Sequence, residues 1–322
     1  MSLFTPYALR FHNSTMTNAV LLSAIASQSV VTGTEVTSDV DAGSPYPQHV
    51  AINAQKPSAQ ATTKDIVGGL DLLGVEGWPI SATSTRPGLD FFQLSIDPTT
   101  GRPYTTSVHR RINIQRGIFV PTTLSVQHQG DAMLSASAFA IADPADTATI
   151  GKLPVNSFAA QALPTGIGGG SRHTLGSVEV GGITLDCQIS IEINFGISVT
   201  TEGCSSDIHD ASLFLTSAQP VISITGKNLA KYVSAGGIPL AGIAGTHANT
   251  KIVLRKRLQS SAGFVADATA EHVLITAAGL AYWDQVHSAS GNGRVEDVLR
   301  ITCRHDGTNT PIVIDTTHAI TP

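Results

Sequence analysis

Eleven histidines and three cysteines are the residues of this 322-residue sequence with the most chemistry to offer. A histidine metal site usually announces itself as H-x-H or H-E-x-x-H, which puts two imidazoles on one face, and neither spacing occurs. The densest grouping is Asp207-Ile-His209-Asp210, preceded by Glu202 and Cys204. Its carboxylates and imidazole are metal-ligand types, and an oxygen-rich loop suits calcium. The ligand number falls short of the six or more oxygens that calcium takes, so a polar inter-strand loop is the favoured reading. Cys204 or Cys303 is a nucleophile only if a histidine lies beside it in the fold, which spacing along the chain does not show. Gly166–Gly170 imitates a phosphate loop but lacks the strand before it and the helix after it. Arg255-Lys256-Arg257, preceded by Lys251, and Arg110-Arg111 are the basic clusters. Nucleic-acid contact is one reading of them; a charge-protected edge strand or an inter-subunit salt bridge is the favoured one. The expectation is therefore a protein that is not an enzyme, with no catalytic, cofactor-binding or metal-binding residues.

The elements that carry these residues follow from composition. Apolar residues make up 42% and charged residues 13%, too apolar and too weakly charged for a disordered chain. Short Val/Ile/Leu runs separated by Gly, Pro, Ser and Thr read as many strands joined by turns. A net charge of −5 gives no global basic footprint for nucleic acid or anionic lipid. No apolar run is long enough to span a membrane as a helix. Ala19–Ala26 has the apolarity of a signal-peptide core, but the alternation of Thr184–Phe195, its counterpart in the second half, favours a strand.

An internal repeat organises the chain. Pro57–Asp65 (PSAQATTKD) and Pro220–Asn228 (PVISITGKN) share the frame P-x-x-x-x-T-x-K-[DN], at an offset of 220 − 57 = 163. The same offset pairs Gly74 with Gly237, His109 with His272, Gly130 with Gly293, and Asp143, Asp146 and Thr147 with Asp306, Asn309 and Thr310. The last two sets are turn chemistry. Gly117 misses Gly279 by one residue and is not counted. Thr34-Glu35 against Thr201-Glu202 needs an offset of 167 and so implies a four-residue length difference. The equivalence of His109 and His272 points to a shared structural role at a strand edge.

The fold class expected is mostly β: two tandem, similar β-sandwich or barrel domains, each with one short helix. The first repeat is residues 1–160, the Gly/Pro linker 161–171, and the second repeat 172–322. The helices are Lys64–Leu73, capped by Thr62 or Thr63 and stopped at Gly74, and Lys227–Ala235, capped by Thr225 and stopped at Gly236-Gly237. Ile66, Leu70 and Leu73 form the buried stripe of the first. Strands are expected at Ser29–Thr32, Ile112–Gln115, Thr123–Gln127 and Leu134–Ile141 in the first half. The second half is expected to have them at Ile189–Thr200, Lys251–Leu258, His272–Thr276 and Val295–Arg304.

A repeated β-unit without catalytic motifs points to assembly, because one chain then occupies two equivalent places in a ring. The single helix between β-hairpins, the Thr/Ala/Gly-rich strands and the closing Asp306–Thr310 turn resemble phage-type virion structural proteins. The nearest architectural resemblance is to duplicated-domain tail-tube proteins of long-tailed phages. The resemblance implies a self-assembling subunit of stacked trimeric, pseudo-hexameric rings that conduct DNA. Its partners would be itself and other virion proteins, with DNA as non-specific passing cargo, and its location the virion after assembly in the host cytoplasm. The alternative is a capsid decoration or receptor-binding module, which aromatic-rich loop tips would favour; exposed apolar hairpins favour the tube.

Overall fold

Period-two burial defines the strands. In β6 (Ser58–Thr63), Ala59, Ala61 and Thr63 are buried while the residues between them are not. β18 (Val221–Gly226) does the same with Ile222, Ile224 and Gly226. The structure, a computed structural model, describes residues 3–12, 19–40, 42–43, 45–80, 88–142, 153–186, 188–203, 208–227, 232–233, 245–259, 262–288, 296–305, 307 and 310–320. It is mostly β, as expected, with 22 strands and one complete helix among these residues.

In the first half a five-stranded antiparallel sheet runs in the order β12 (Val155–Gln161), β9 (His109–Ile114), β8 (Leu89–Ile96), β1 (Leu3–His12), β2 (Ala19–Leu22). After two residues the chain leaves β9 for β10 (Gly117–Gln127), which enters a second sheet beside β11 (Met133–Ala140), β6 and β3 (Ile25–Val31). β7 (Trp78–Ile80) borders β10. The two sheets share a core: Phe11 of β1 meets Trp78 edge-on at 5.7 Å and Phe119 at 5.6 Å between ring centroids.

The second half uses β13 (His173–Val180), β14 (Ile183–Leu185), β15 (Gln188–Asn194), β18, β19 (Thr246–Lys256), β20 (His272–Ser288), β21 (Glu296–Cys303) and β22 (Ile312–His318). Here β20 is one unbroken strand that pairs β19 and β22 near its start and β21 beyond. The second sheet of the first half continues into this one, because β10 pairs β15. The result is a single path of β14-β13-β19-β20-β21-β18-β15-β10-β11-β6-β3, where separate sheets are expected of two independent sandwiches.

The ladders of the two halves coincide. β3 and β6 pair Ile25 with Thr63, shift register, then pair Ser27 with Thr62 through Val31 with Ser58. β15 and β18 pair Gln188 with Gly226, shift at the same place, then pair Ser190 with Thr225 through Asn194 with Val221. Every number differs by 163. The same difference relates β11–β6 to β21–β18. It also relates the hairpin β4 (Thr34–Asp39)–β5 (His49–Gln55) to β16 (Ile197–Glu202)–β17 (Ser212–Ala218), bulge included. Thr34 therefore matches Ile197, and the four-residue length difference inferred from Thr201-Glu202 is corrected. Gly117 and Gly279 do match, since they lie opposite Ala140 and Cys303. One residue fewer separates β9-type from β10-type positions in β20, which runs through both as one strand.

Helix α1 spans Ile66–Leu73 and buries Ile66, Gly69, Leu70 and Leu73, the expected stripe. Thr63 Oγ1 accepts the Asp65 N–H at 2.9 Å just ahead of it, and Gly74, at φ +57°, donates its N–H to Leu70 O at 2.8 Å and ends it. Gly69 lets the helix lie on β11, since a Cβ there would stand 2.6 Å from Leu134 Cδ2. The second helix lies largely outside the described residues, with Tyr232 and Val233 helical. Ile189–Thr200 is two strands, not one, because Gly196 at φ +60° turns the chain between β15 and β16.

Candidate functional site

The sequence candidates disperse. His109 and His272 do the same structural job: Nδ1 of each accepts a backbone N–H at 3.1 Å, from Ser95 and from Lys256. An imidazole held this way is a fixed backbone partner rather than a ligand. Burial also lowers the His109 pKa from its usual value.

Of the Asp207-Ile-His-Asp210 grouping, Asp207 and Cys204 lie outside the described residues. Asp210 accepts a hydrogen bond from the Thr201 hydroxyl. Among the described residues no three His, Cys, Asp or Glu side chains converge as metal ligands. The loop instead makes a seam between the halves. Ile208 O accepts the Gln55 N–H at 2.7 Å, and Asp210 O accepts the Ala142 N–H at 2.8 Å. His209 and Asp210 are buried there. The Cys303 thiol is pushed up to a pKa of about 12 by burial, which favours the thiol over the thiolate at neutral pH. Cys187 and the Asp143–Thr147 turn lie outside the described residues.

The second-half basic cluster is neutralised within the chain. Arg255 pairs with Asp267 and stacks over Phe264, 4.6 Å from the ring centroid. Lys256 pairs with Glu271 at 3.2 Å, Lys251 with Glu179 at 3.4 Å, and Arg257 with Asp131 of the first half at 3.4 Å. β19, which carries them, is flanked by β13 and β20 and is not the edge strand expected. Arg110 and Arg111 lie over the rings of Phe4 (4.5 Å) and Phe158 (4.4 Å). A cleft of about 540 Å³ beside Arg255 is lined by His128, Leu175, Asp186 and Phe264. Its Arg255 and Asp267 are paired with each other.

What the sequence did not disclose is the junction. β10 and β15 join antiparallel, Thr123 opposite Asn194 through Gln127 opposite Ser190. Flanking bonds run from the Phe195 N–H to Thr122 O (3.0 Å) and from the His128 N–H to Ile189 O (2.8 Å). Leu124 and Ile193 face each other there, both buried. Residues 162–172, within and around the expected linker, form no regular structure, but they are anchored. The Ser171 N–H reaches Asp65 Oδ1 at 3.4 Å, and Gln259 Nε2 donates to Gly170 O at 3.3 Å. No protein-family model and no curated protein matches this chain.

His173 sits at the start of β13 beside this seam, fully buried, with Nε2 3.3 Å from Glu271 O. Its carbonyl accepts the Ala132 N–H at 2.7 Å. Its pKa is lowered, by desolvation first and then by the positive fields of Lys256 and His272; the Glu271 carbonyl and Asp65 oppose the shift. The unfolded chain therefore takes up a proton near the usual 6.5 while the native chain does not. Stability should fall as pH drops below that value, by on the order of 1 kcal/mol per pH unit, until the native imidazole protonates. Urea midpoints at pH 7.5 and 5.5 test this: His173→Gln should show a smaller difference than the native chain, and an unchanged difference would assign the pH effect elsewhere.

Proposed function

We propose that this chain is a self-assembling virion structural protein made of two equivalent units, residues 1–160 and 172–322, that arose by duplication and are joined through 161–171. In this reading it is a tail-tube subunit: three copies close a pseudo-six-fold ring, and rings stack into a tube through which DNA passes without sequence-specific contact. The observation that carries it is the junction itself. Two units with coincident ladders are joined edge to edge through β10 and β15, so the chain already contains one joint of the kind a ring needs.

Two further features support it. Each half projects a two-stranded hairpin, β4–β5 and β16–β17, outside the large sheet. These hairpins expose apolar side chains: Val36, Val50 (65% exposed) and Ile52 on one, Phe214 and Leu215 on the other. Apolar hairpin faces suit burial between stacked rings better than contact with water. The pairing of Lys251 and Arg255–Arg257 with carboxylates leaves little free positive charge there to hold DNA. In this reading the chain needs neither cofactor nor metal, and no described helix is long and apolar enough to cross a membrane.

Electron microscopy of the purified chain, and of particles that contain it, tests the proposal. Stacked rings with six density lobes and three-fold averaging are expected. Isolated knobs on a capsid surface, built from a chain that stays monomeric in solution, would replace the tube with the decoration reading.

A further inference from the structure

We infer that the open end of β20 in one copy takes up β3 of a second copy of this chain, in the register by which β10 takes up β15 within it. The inference rests on the reading of the two halves as equivalent units. β3 is the counterpart of β15, and it ends the large sheet with one edge unpaired among the described residues. Gln285 of β20 is the counterpart of Thr123 in β10, because Gly279 matches Gly117 and the register shift at Trp283/Gln285 matches that at Pro121/Thr123; a second shift before Ser288, which β10 lacks, sets Ser288 opposite Glu296 and so in the place of Ser125. On the side of β20 away from β21, the partner among the described residues is β19, whose ladder stops at Ala281. The far end of β20 and the outer side of β3 are thus the two halves of a joint that the chain makes once internally and that, among the described residues, stays open at both ends.

Transferring the internal register places Gln285 opposite Val31 and Ser288 opposite Ser29, with Val286 against Val30 in the two-residue step between them. The buried Leu124–Ile193 pair of the internal joint becomes Val286–Val30, so the apolar contact at its centre is kept. The flanking bonds identify the geometry. Thr122/Phe195 is a hydrogen-bonded position, so Leu124/Ile193 is one too, and Val30 turns its N–H outward, away from β6. An unpaired row of this kind is a template for strand addition.

The seam at the hairpin transfers as well. Within the chain, Gln55 and Ala142 clamp the loop carrying Ile208, His209 and Asp210. The matching residues, 163 positions away, are Ala218 and His305 on one copy and Pro45, Tyr46 and Pro47 on the next. His209 is 8% exposed in its seam, whereas Tyr46, at the tip of the β4–β5 hairpin, is 73% exposed. In the joint between copies the Ala218 N–H bonds Pro45 O, the His305 N–H bonds Pro47 O, and Tyr46 is covered. Because donor and acceptor surfaces differ, the contact is head-to-tail, and it closes a ring or winds into a filament.

Cysteine cross-linking of the assembled full-length chain tests this. Val31 and Gln285 are both exposed, and they fall on a non-hydrogen-bonded pair with Cα atoms about 4.5 Å apart, inside the span a disulfide bridges. The double variant V31C/Q285C should form intermolecular disulfides under mild oxidation. S29C/Q285C, two residues out of register on the same face, should do so about tenfold more slowly, and each single variant should not. On the unmodified protein, hydrogen exchange at the Val30 amide should slow by about a hundredfold or more on assembly. Equal cross-linking in and out of register, no cross-link in an assembled particle, a chain that stays monomeric at every concentration, or an unprotected Val30 would overturn the joint. Cross-linked species without rings in the microscope would keep the joint and remove the tube, while rings without the cross-link would do the reverse.

Discussion

Alanine at Gly117 is expected to cost more stability than a domain of this kind can lose. Gly117 opens β10 at φ +146°, and a Cβ there would stand 1.8 Å from Phe139 O, an atom of the neighbouring strand. The carbonyl cannot swing aside without breaking the β10–β11 ladder, in which Gly117 lies opposite Ala140 and Ile118 opposite Phe139. A disfavoured backbone region alone costs about 1–3 kcal/mol, and the overlap with main-chain atoms takes the total beyond about 4 kcal/mol, against a typical net stability of about 5–15 kcal/mol. Gly279→Ala should behave alike, since its Cβ would lie 2.2 Å from Thr302 O, the residue that matches Phe139. Gly168→Ala is the control: nothing lies within 4 Å of its Cβ, and the change should stay within about 0.5 kcal/mol. Soluble yield and urea midpoints of the three variants decide the matter. Gly117→Ala as stable as Gly168→Ala would show that this crossing of strands is not as close as described.

Asp90→Ala should be the most damaging change to a charged residue in the first half. Arg10, Asp90 and Asn113 stand in one row across β1, β8 and β9. Asp90 is fully buried, accepts Arg10 Nε at 3.0 Å and Asn113 Nδ2 at 2.8 Å, and lies 3.8 Å from Arg111 Nε. Removing the carboxylate leaves one guanidinium and one buried amide without their acceptor, at a cost of about 3 kcal/mol. Arg10 is 25% exposed in its side chain and recovers some hydration, which keeps the estimate at the low end. The matching row of the second half is Glu179, Lys251 and Thr276, with the charges reversed and the Lys251–Glu179 pair more exposed at 3.4 Å. Glu179→Ala should therefore cost less than about 1 kcal/mol. A shared loss of similar size in both variants, read from denaturant midpoints, would contradict the burial argument.

Local sequence was enough for several of the strands and for the first helix. Ile252 and Leu254, like Leu299 and Ile301, alternate as a half-buried strand must, and Ile66, Leu70 and Leu73 repeat as one helix face must. Both patterns are set by neighbours a few residues away. The 163-residue spacing was legible for the same reason, because Pro57–Asp65 and Pro220–Asn228 carry it in contiguous residues.

The tertiary structure decided what depends on residues far apart. A fixed offset rejects Gly117 with Gly279, and only the ladders reveal that β20 spans the positions of both β9 and β10 with one residue fewer between them. Thr34-Glu35 and Thr201-Glu202 look alike as dipeptides, yet register sets Thr34 against Ile197, because pairing is settled by the whole hairpin and its bulge rather than by two side chains. The buried Asp90 reads as an ordinary surface charge until Arg10, 80 residues away, is placed beside it. The β10–β15 junction has no signature in the sequence at all. Strand edges pair through main-chain groups that every residue type carries, so which edges meet, and which have no partner among the described residues, is written only in the arrangement of the sheet.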